Sequence, residues 1–346
     1  MDHRRATSAD VAAKAGVSRT TVSFVLNGRA DMAISAATRQ RVLEAAQALD
    51  YHPHHSARQL RGGTSHTLGL VLRQSPEQVA GDALLAETLR GVTSAARAAG
   101  FRVLIEPLPL GEGTFDDLVR SHRTDGLIVS GPRLDDTALH GLARDRFPLV
   151  LQGSLPDLAV PSVDVDNVAG AMAAVDHLVA LGHRRIGCVT NAPLAYTSAS
   201  ERVDGYRRAL RNAGLEPDDE LVVEADFDAR SGHRAMAGLL ARARPLDAVF
   251  VASDVVALGA IAAIRETGRR VPDDIALVGF DDIPIAGFID PPLTTVRLPA
   301  FELGAAAGRA LLDRIAGRSV PERTLLSTEL VIRASTGPTA GQTEAR

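Results

Sequence analysis

Two short amphipathic helices joined by a glycine turn constrain this chain more than any other feature. They are encoded by TSADVAAKAGVSRTTVSFVLN, Thr7 to Asn27. Thr7 and Asp10 are spaced as a capping box, which starts a helix with Val11 and Ala12 on its apolar side. Ala15-Gly16-Val17 is a tight break, with glycine where the chain must turn. Ser18 offers an N-cap to a second helix, on which Thr21, Val22, Val25 and Leu26 recur at helical spacing. A third helix, capped at Ser35, carries Thr38, Val42, Leu43, Ala46 and Leu49, enough to close a small three-helix core. Helices paired around a glycine turn predict a helix-turn-helix unit, whose second helix enters the DNA major groove.

On that reading Arg19 and Thr20 open the recognition helix and face base edges, where an arginine can donate two bonds to a guanine. Ser18, Thr21, Ser23, Asn27 and Thr38 are small donors suited to phosphate, which positions a protein without specifying sequence. Each also reads as an ordinary cap or surface residue. A basic stretch, YHPHHSARQLRGG, runs from Tyr51 to Gly63, and Gly62-Gly63-Thr64-Ser65 at its end is the only flexible linker of note. Tyr51, His54, Ala57, Arg58 and Leu60 complete the expected DNA-contacting set.

Beyond the linker, short apolar runs alternate with amphipathic helices. Strands are expected at Thr67 to Leu72, Arg102 to Glu106, Gly126 to Ser130, Leu149 to Gln152, Arg185 to Thr190, Ala248 to Ala252 and Ile275 to Gly279. Helices are expected at Ala83 to Ala99, Asn167 to Leu181, Glu201 to Ala213, Ser231 to Ala243 and Ala257 to Glu266. Continuously apolar strands alternating with helices mean parallel sheets covered on both faces. There are too many units for one compact sheet, so the expected architecture is an all-α headpiece plus an α/β domain of two doubly wound parallel-sheet subdomains.

Charge follows the same division. Met1 to Gly63 holds nine basic against five acidic residues, a net of +4, within a chain of 346 residues whose net charge is −4. A basic headpiece on an acidic body suits a protein that touches phosphates with one end only. The single cysteine, Cys188, lies in the apolar run Ile186 to Val189 and reads as a buried strand residue, compatible with a reducing cytosol. No early stretch resembles a signal peptide and no apolar run is long enough to span a bilayer, so a cytoplasmic protein without membrane partners is expected. There is no glycine-rich phosphate loop, no G-x-S-x-G and no His/Cys cluster at metal spacing, so neither enzyme activity, cofactor nor metal is expected. His52, His54 and His55 imitate a metal site but fall in the basic linker.

GVSRTTVSFVLN, TRQRVLEAAQALDYHP and HHSARQLRGG, in that order, closely resemble the headpiece of the lac repressor / galactose repressor family. HLVALGHRRIGCV, Ala252-Ser253-Asp254, VPDDIALVGFDD and DPPLTTVRLP resemble successive landmarks of that family's regulatory domain. The resemblance implies a periplasmic-binding-protein-like domain whose two subdomains are joined by three crossovers around a small ligand. It divides the chain into a headpiece (1–53), a hinge (54–64), a ligand-binding and dimerisation domain (65–338) and a disordered tail (339–346). Within that domain, subdomain one covers about 65–162 and 294–326, and subdomain two about 163–293 and 327–338. The resemblance also implies that the segment around Leu60 orders on DNA, with the leucine wedged into the minor groove. Phe24 departs from the family, many of whose members carry arginine there; it suits a thymine methyl or the headpiece's own packing.

For the effector, the resemblance points to Arg202, at the start of a helix, and to Asp281, past a strand end. Asp254 follows another strand end beside Ser253, where many relatives present asparagine. Phe227 matches an aromatic that stacks on the ligand ring, and Asp166 follows the first crossover. Each acidic residue also reads as a helix cap. The expected function is a homodimeric transcriptional regulator, a repressor on a pseudo-palindromic operator of about 16–20 base pairs, controlled by a small effector, foremost a sugar. A purine- or nucleoside-responsive corepressor type and a transport-type sugar-binding protein are the alternatives. No leucine heptads follow Thr339, so no tetramerising coiled coil is expected.

Overall fold

The computed structural model describes residues 6–26, 34–51, 64–109, 111, 114–242 and 245–337. The chain divides into two units, Met1–Ser65 and His66–Arg346. In the first, α1 (Ser8–Ala15), α2 (Arg19–Leu26) and α3 (Ala36–Ala48) enclose Val11, Ala15, Val22, Val25, Val42 and Ala45. The capping box at Thr7 is formed: the Asp10 carboxylate accepts from the Thr7 amide at 2.8 Å, and the Thr7 hydroxyl accepts from the Asp10 amide at 3.4 Å. Gly16 ends α1 at φ 67°, the left-handed conformation that glycine adopts without steric cost. Ser35 caps α3, but Leu43 does not join the core. It is 45 % exposed, because Val42, Ala45 and Ala46 occupy the inward stripe of that helix.

The second unit runs β1 (Thr67–Leu72), α4 (Pro76–Gly81), α5 (Leu85–Ala98), β2 (Arg102–Pro107), α6 (Phe115–Arg120), β3 (Gly126–Ser130), α7 (Ala138–Arg144), β4 (Leu149–Gln152) and β5 (Ser162–Val165). It continues with α8 (Asn167–Ala180), β6 (Ile186–Val189), α9 (Thr197–Asn212), β7 (Val222–Val223), α10 (Ala229–Ala241), β8 (Ala248–Val251), α11 (Asp254–Glu266) and β9 (Ala276–Asp281). β10 (Thr294–Arg297), α12 (Ala300–Ile315), β11 (Arg323–Leu326) and β12 (Glu329–Val331) complete it. The helix expected at Ala83 to Ala99 is α5, and a short helix not expected from the sequence, α4, precedes it. Ser75 caps α4 in a reciprocal box with Gln78, and the Asp82 carboxylate then accepts from the amides of Leu84 and Leu85.

Two six-stranded sheets result, in the orders β11-β5-β4-β3-β1-β2 and β12-β10-β9-β8-β6-β7. Every pairing is parallel except β10 with β12. The chain passes between the sheets after β5, after β10 and after β11. The first two passes lie a few residues beyond the expected boundaries. Ser162–Val165 pairs with β4 and β11 in the first sheet, and Thr294–Arg297 pairs with β9 in the second. Sequence pattern places a crossover poorly because the strand before it and the strand after it are equally apolar.

Helices cover both faces of both sheets, as continuously buried strands require. Where α10 and α11 cross, backbone meets backbone: a Cβ on Gly259 would lie 1.7 Å from the Ala229 carbonyl oxygen and 2.7 Å from the His233 amide nitrogen. Gly259→Ala must therefore force the helices apart. It should lower stability by about 1–3 kcal/mol in urea unfolding of the full chain. An unchanged midpoint would show that the pair can separate freely.

Candidate functional site

The first unit presents α2. Ser18 caps it, its hydroxyl accepting from the Thr21 amide at 3.1 Å and lying 2.9 Å from the Thr21 hydroxyl. Arg19 and Thr20 are exposed on its first turn, while Thr21, Ser23 and Phe24 are half-buried. Thr38 is half-buried against Ser35, whose hydroxyl donates to it at 2.9 Å. Tyr51 packs on the three-helix core. Asn27, His54, Ala57, Arg58 and Leu60 lie outside the described residues, as does the rest of the expected hinge up to Gly63.

In the second unit a cavity of about 170 Å³ lies between the two sheets. Its polar lining comes from carboxyl ends of strands, where open parallel sheets bind ligands. Ser130, Gln152 and Asp164 come from β3, β4 and β5 of the first sheet; Asn191, Ser253 and Asp281 come from β6, β8 and β9 of the second. Arg202 crosses the floor. It stands inside α9, which begins at Thr197, four residues earlier than the expected helix start at Glu201. The guanidinium is buried, lies 3.7 Å from the centroid of the Phe280 ring, and donates from Nε to Asn167 Oδ1 at 3.0 Å. Nη1 donates to the Ala252 carbonyl at 2.6 Å and to Asp281 Oδ1 at 3.4 Å. Burial pulls Arg202 down, against the opposing pull of Asp281 and Asp164.

Asp281 sits at φ 117° and Asp282 at φ 55°, conformations that are costly for residues with a Cβ and need outside support. The support is a double arginine clamp on Asp282. Arg297 Nε donates to its Oδ2 at 2.8 Å and Arg333 Nη2 to its Oδ1 at 2.6 Å. Burial raises Asp281 to about 6, although Arg202 and the Ser253 hydroxyl oppose it. Phe227 also lines the cavity, in a left-handed conformation at φ 62°, with the Tyr196 ring perpendicular to it at 4.9 Å.

Two expected effector residues do not line the cavity. Asp166 is exposed and accepts from the Ala169 amide at 2.8 Å; it caps α8, because the chain has already left β5 at Val165. Asp254 is fully buried behind the cavity wall, accepting from the Thr295 hydroxyl at 2.6 Å and the Ile283 amide at 3.0 Å. Sequence reasoning missed Asp82, Gln152, Asp164, Asn167 and Asn191. The strand-end rule that found Asp281 would have found Gln152 and Asn191. Nothing local marks Asp164, a carboxylate between two valines in β5.

The subdomains are clasped at the cavity's rim. The Tyr196 hydroxyl donates to the Arg73 carbonyl at 2.5 Å, the Leu134 amide to the Ala195 carbonyl at 2.8 Å, and Gln78 Nε2 to Asp226 Oδ1 at 2.8 Å. Among the described residues no helix is long and apolar enough to cross a membrane.

A helix-turn-helix unit together with a ligand-sized cavity between paired parallel sheets has direct counterparts among known proteins. The profile of bacterial regulatory proteins of the lacI family matches residues 7–54, and that of the periplasmic binding protein-like domain matches residues 175–336. The HTH-type transcriptional regulator CelR of Thermobifida fusca is 37 % identical over 96 % of this chain and 98 % of its own. The chain belongs to the lacI family of bacterial regulatory proteins. It is a DNA-binding transcriptional regulator and not an enzyme. Another lacI-family relative, the HTH-type transcriptional repressor CytR of Escherichia coli K12, is 37 % identical over 96 % of each chain. Among solved structures, a CelR–cellobiose complex matches with a TM-score of 0.75 at 36 % identity, over 96 % of this chain and all of that one. A lac repressor dimer bound to operator and an anti-inducer matches with a TM-score of 0.84 at 32 % identity, over 97 % of this chain and all of that one.

Burial and the neighbouring Glu201 raise Asp164 to about 7, so the folded protein holds a proton there that the unfolded chain, titrating near 3.8, has released. Because the native state binds more protons, this group lowers stability as pH rises from about 4 to about 7. Asp164→Asn should therefore gain stability relative to the parent at about pH 8 but not at about pH 4, in urea unfolding at both. An equal difference at the two pH values would remove Asp164 from that linkage.

Proposed function

We propose that this regulator is a homodimeric repressor whose operator affinity is set by an unphosphorylated saccharide in the cleft. The hydrogen-bonding character of the cavity carries this reading. Gln152 Oε1 and Asn191 Oδ1 are buried acceptors without partners, and Asp164 and Asp281 add carboxylate oxygens. The guanidinium of Arg202 is meanwhile engaged by Asn167, Ala252 and Asp281. Such a wall complements a ligand that brings many donors, and it repels a phosphate or carboxylate. Phe227 supplies one aromatic face, which suits a sugar ring. The cellobiose in the related CelR complex supports the same ligand class.

Effector and DNA are linked by reciprocity: whichever subdomain arrangement the ligand favours, its effect on operator affinity equals the operator's effect on ligand affinity. The test is selection of random duplex DNA by the full-length protein, followed by release or tightening with a panel of unphosphorylated saccharides. A palindromic site and a saccharide response are expected. Asp281→Ala should abolish the response and spare DNA binding; a normal response in that variant takes Asp281 out of the site.

The dimer reading is supported by the lac repressor dimer and by an exposed apolar turn in the second subdomain. There Phe288 is 88 % and Ile285 51 % exposed, large apolar side chains for which a second copy is the natural cover. Phe288→Asp should shift the protein toward monomer in sedimentation and weaken operator binding at low concentration. Unchanged sedimentation would place the interface elsewhere.

A further inference from the structure

The cleft holds more negative charge than a neutral sugar requires. Asp82, Asp164, Glu201 and Asp281 surround or back the cavity, against the single guanidinium of Arg202 on its floor. Asp164 is 8 % exposed, and its neighbours account for its surroundings: Glu201 and Arg202 from α9, Asn167 from the start of α8, and Arg323 from β11. One side-chain amide serves both acids, since Asn167 Nδ2 donates to Glu201 Oε2 at 2.9 Å and lies 3.4 Å from each Asp164 oxygen, and the Val165 backbone amide donates to Asp164 Oδ1 at 2.8 Å. Ser154 occupies the other oxygen of Glu201 at 3.0 Å, so Asp164 is the member of the pair left facing the cavity. Independently of these acids, Asn191, 7 % exposed and lining the same cavity, has no partner for Oδ1. The two buried lining atoms without a partner, Gln152 Oε1 and Asn191 Oδ1, are both acceptors, and the surplus charge is negative.

We propose that the effector is a cationic saccharide, an amino sugar whose ammonium group lies against Asp164, with Glu201 behind it. This rests on the saccharide reading of the cleft and narrows it. An ammonium brings three donors and a positive charge into a site that otherwise confines like charges, and a charge-assisted bond between buried partners is stronger than a neutral one. The raised affinity of Asp164 for protons describes the same unmet demand: the site takes up a proton where an ammonium would serve. Binding of the sugar in its ammonium form at neutral pH therefore displaces that proton to solvent.

The test is calorimetry of the full-length protein with matched pairs: glucosamine against glucose, galactosamine against galactose, and the β-1,4-linked glucosamine disaccharide against cellobiose. Titrations in phosphate and in HEPES, whose ionisation enthalpies differ, count the protons released. The amine member of at least one pair should bind about tenfold or more tighter than its hydroxyl counterpart and release protons. Asp164→Asn should reduce that preference to about twofold or less and abolish the release, and Glu201→Gln should weaken both. A hydroxyl member that binds as tightly as its amine, or a preference that survives in Asp164→Asn, overturns the proposal. If no saccharide of either kind binds, the saccharide reading itself fails, which the same titrations distinguish.

Discussion

A buried arginine organises the regulatory unit. Arg202 has its guanidinium in the interior, where an unpaired cation would be prohibitively costly, so the structure around it consists of partners. Asn167 comes from the residue that opens α8, Ala252 from the end of β8, and Asp281 from the end of β9, which brings three separate segments of the second subdomain onto one planar group. The ring of Phe280 closes the remaining face. Removing any partner leaves the charge short of compensation, so these segments are fixed relative to one another before any ligand arrives. A cleft preorganised in this way spends little of its binding free energy on ordering its own side chains.

The ligand-facing turn is held from behind as well. Asp282 has no place in the cavity lining, yet its two arginines tie the turn after β9 both to β10 and to the segment following β12. β10 is the strand from which the chain returns to the first subdomain, and the Leu298 amide just beyond it donates to the Asp281 carbonyl at 3.2 Å. The residue offered to the effector and the start of a crossover therefore share a hydrogen bond. Under the proposed function, that bond is a physical connection between the occupied cleft and the crossover.

Sequence pattern revealed the architecture because its signals are local and repeated. The caps at Thr7 and Ser35, the apolar runs of β1, β3 and β9 and the helical stripe of α8 each announce themselves within a few residues. The crossovers did not, since a strand's sheet is decided by partners far away in sequence. Nor did Asp166 and Asp254, whose positions after strands are equally those of a helix cap and of a buried hydrogen-bond acceptor. Arg202, Phe227, Ser253 and Asp281 do meet around one cavity. Asp164 escaped notice because its significance depends on Glu201 and Asn167, which face it only after folding.

Cys188 gives the protein a practical property. The chain's only thiol lies on β6, beside the edge strand of the second sheet, fully buried, and burial pushes its pKa up to about 12. Thiolate is the reactive form, so burial and a raised pKa both disfavour reaction of this sulfur with alkylating and oxidising reagents. A cysteine placed at the rim of the cleft would thus be the sole site for a fluorescent label. The native chain is already a background-free scaffold for an optical reporter of its own effector.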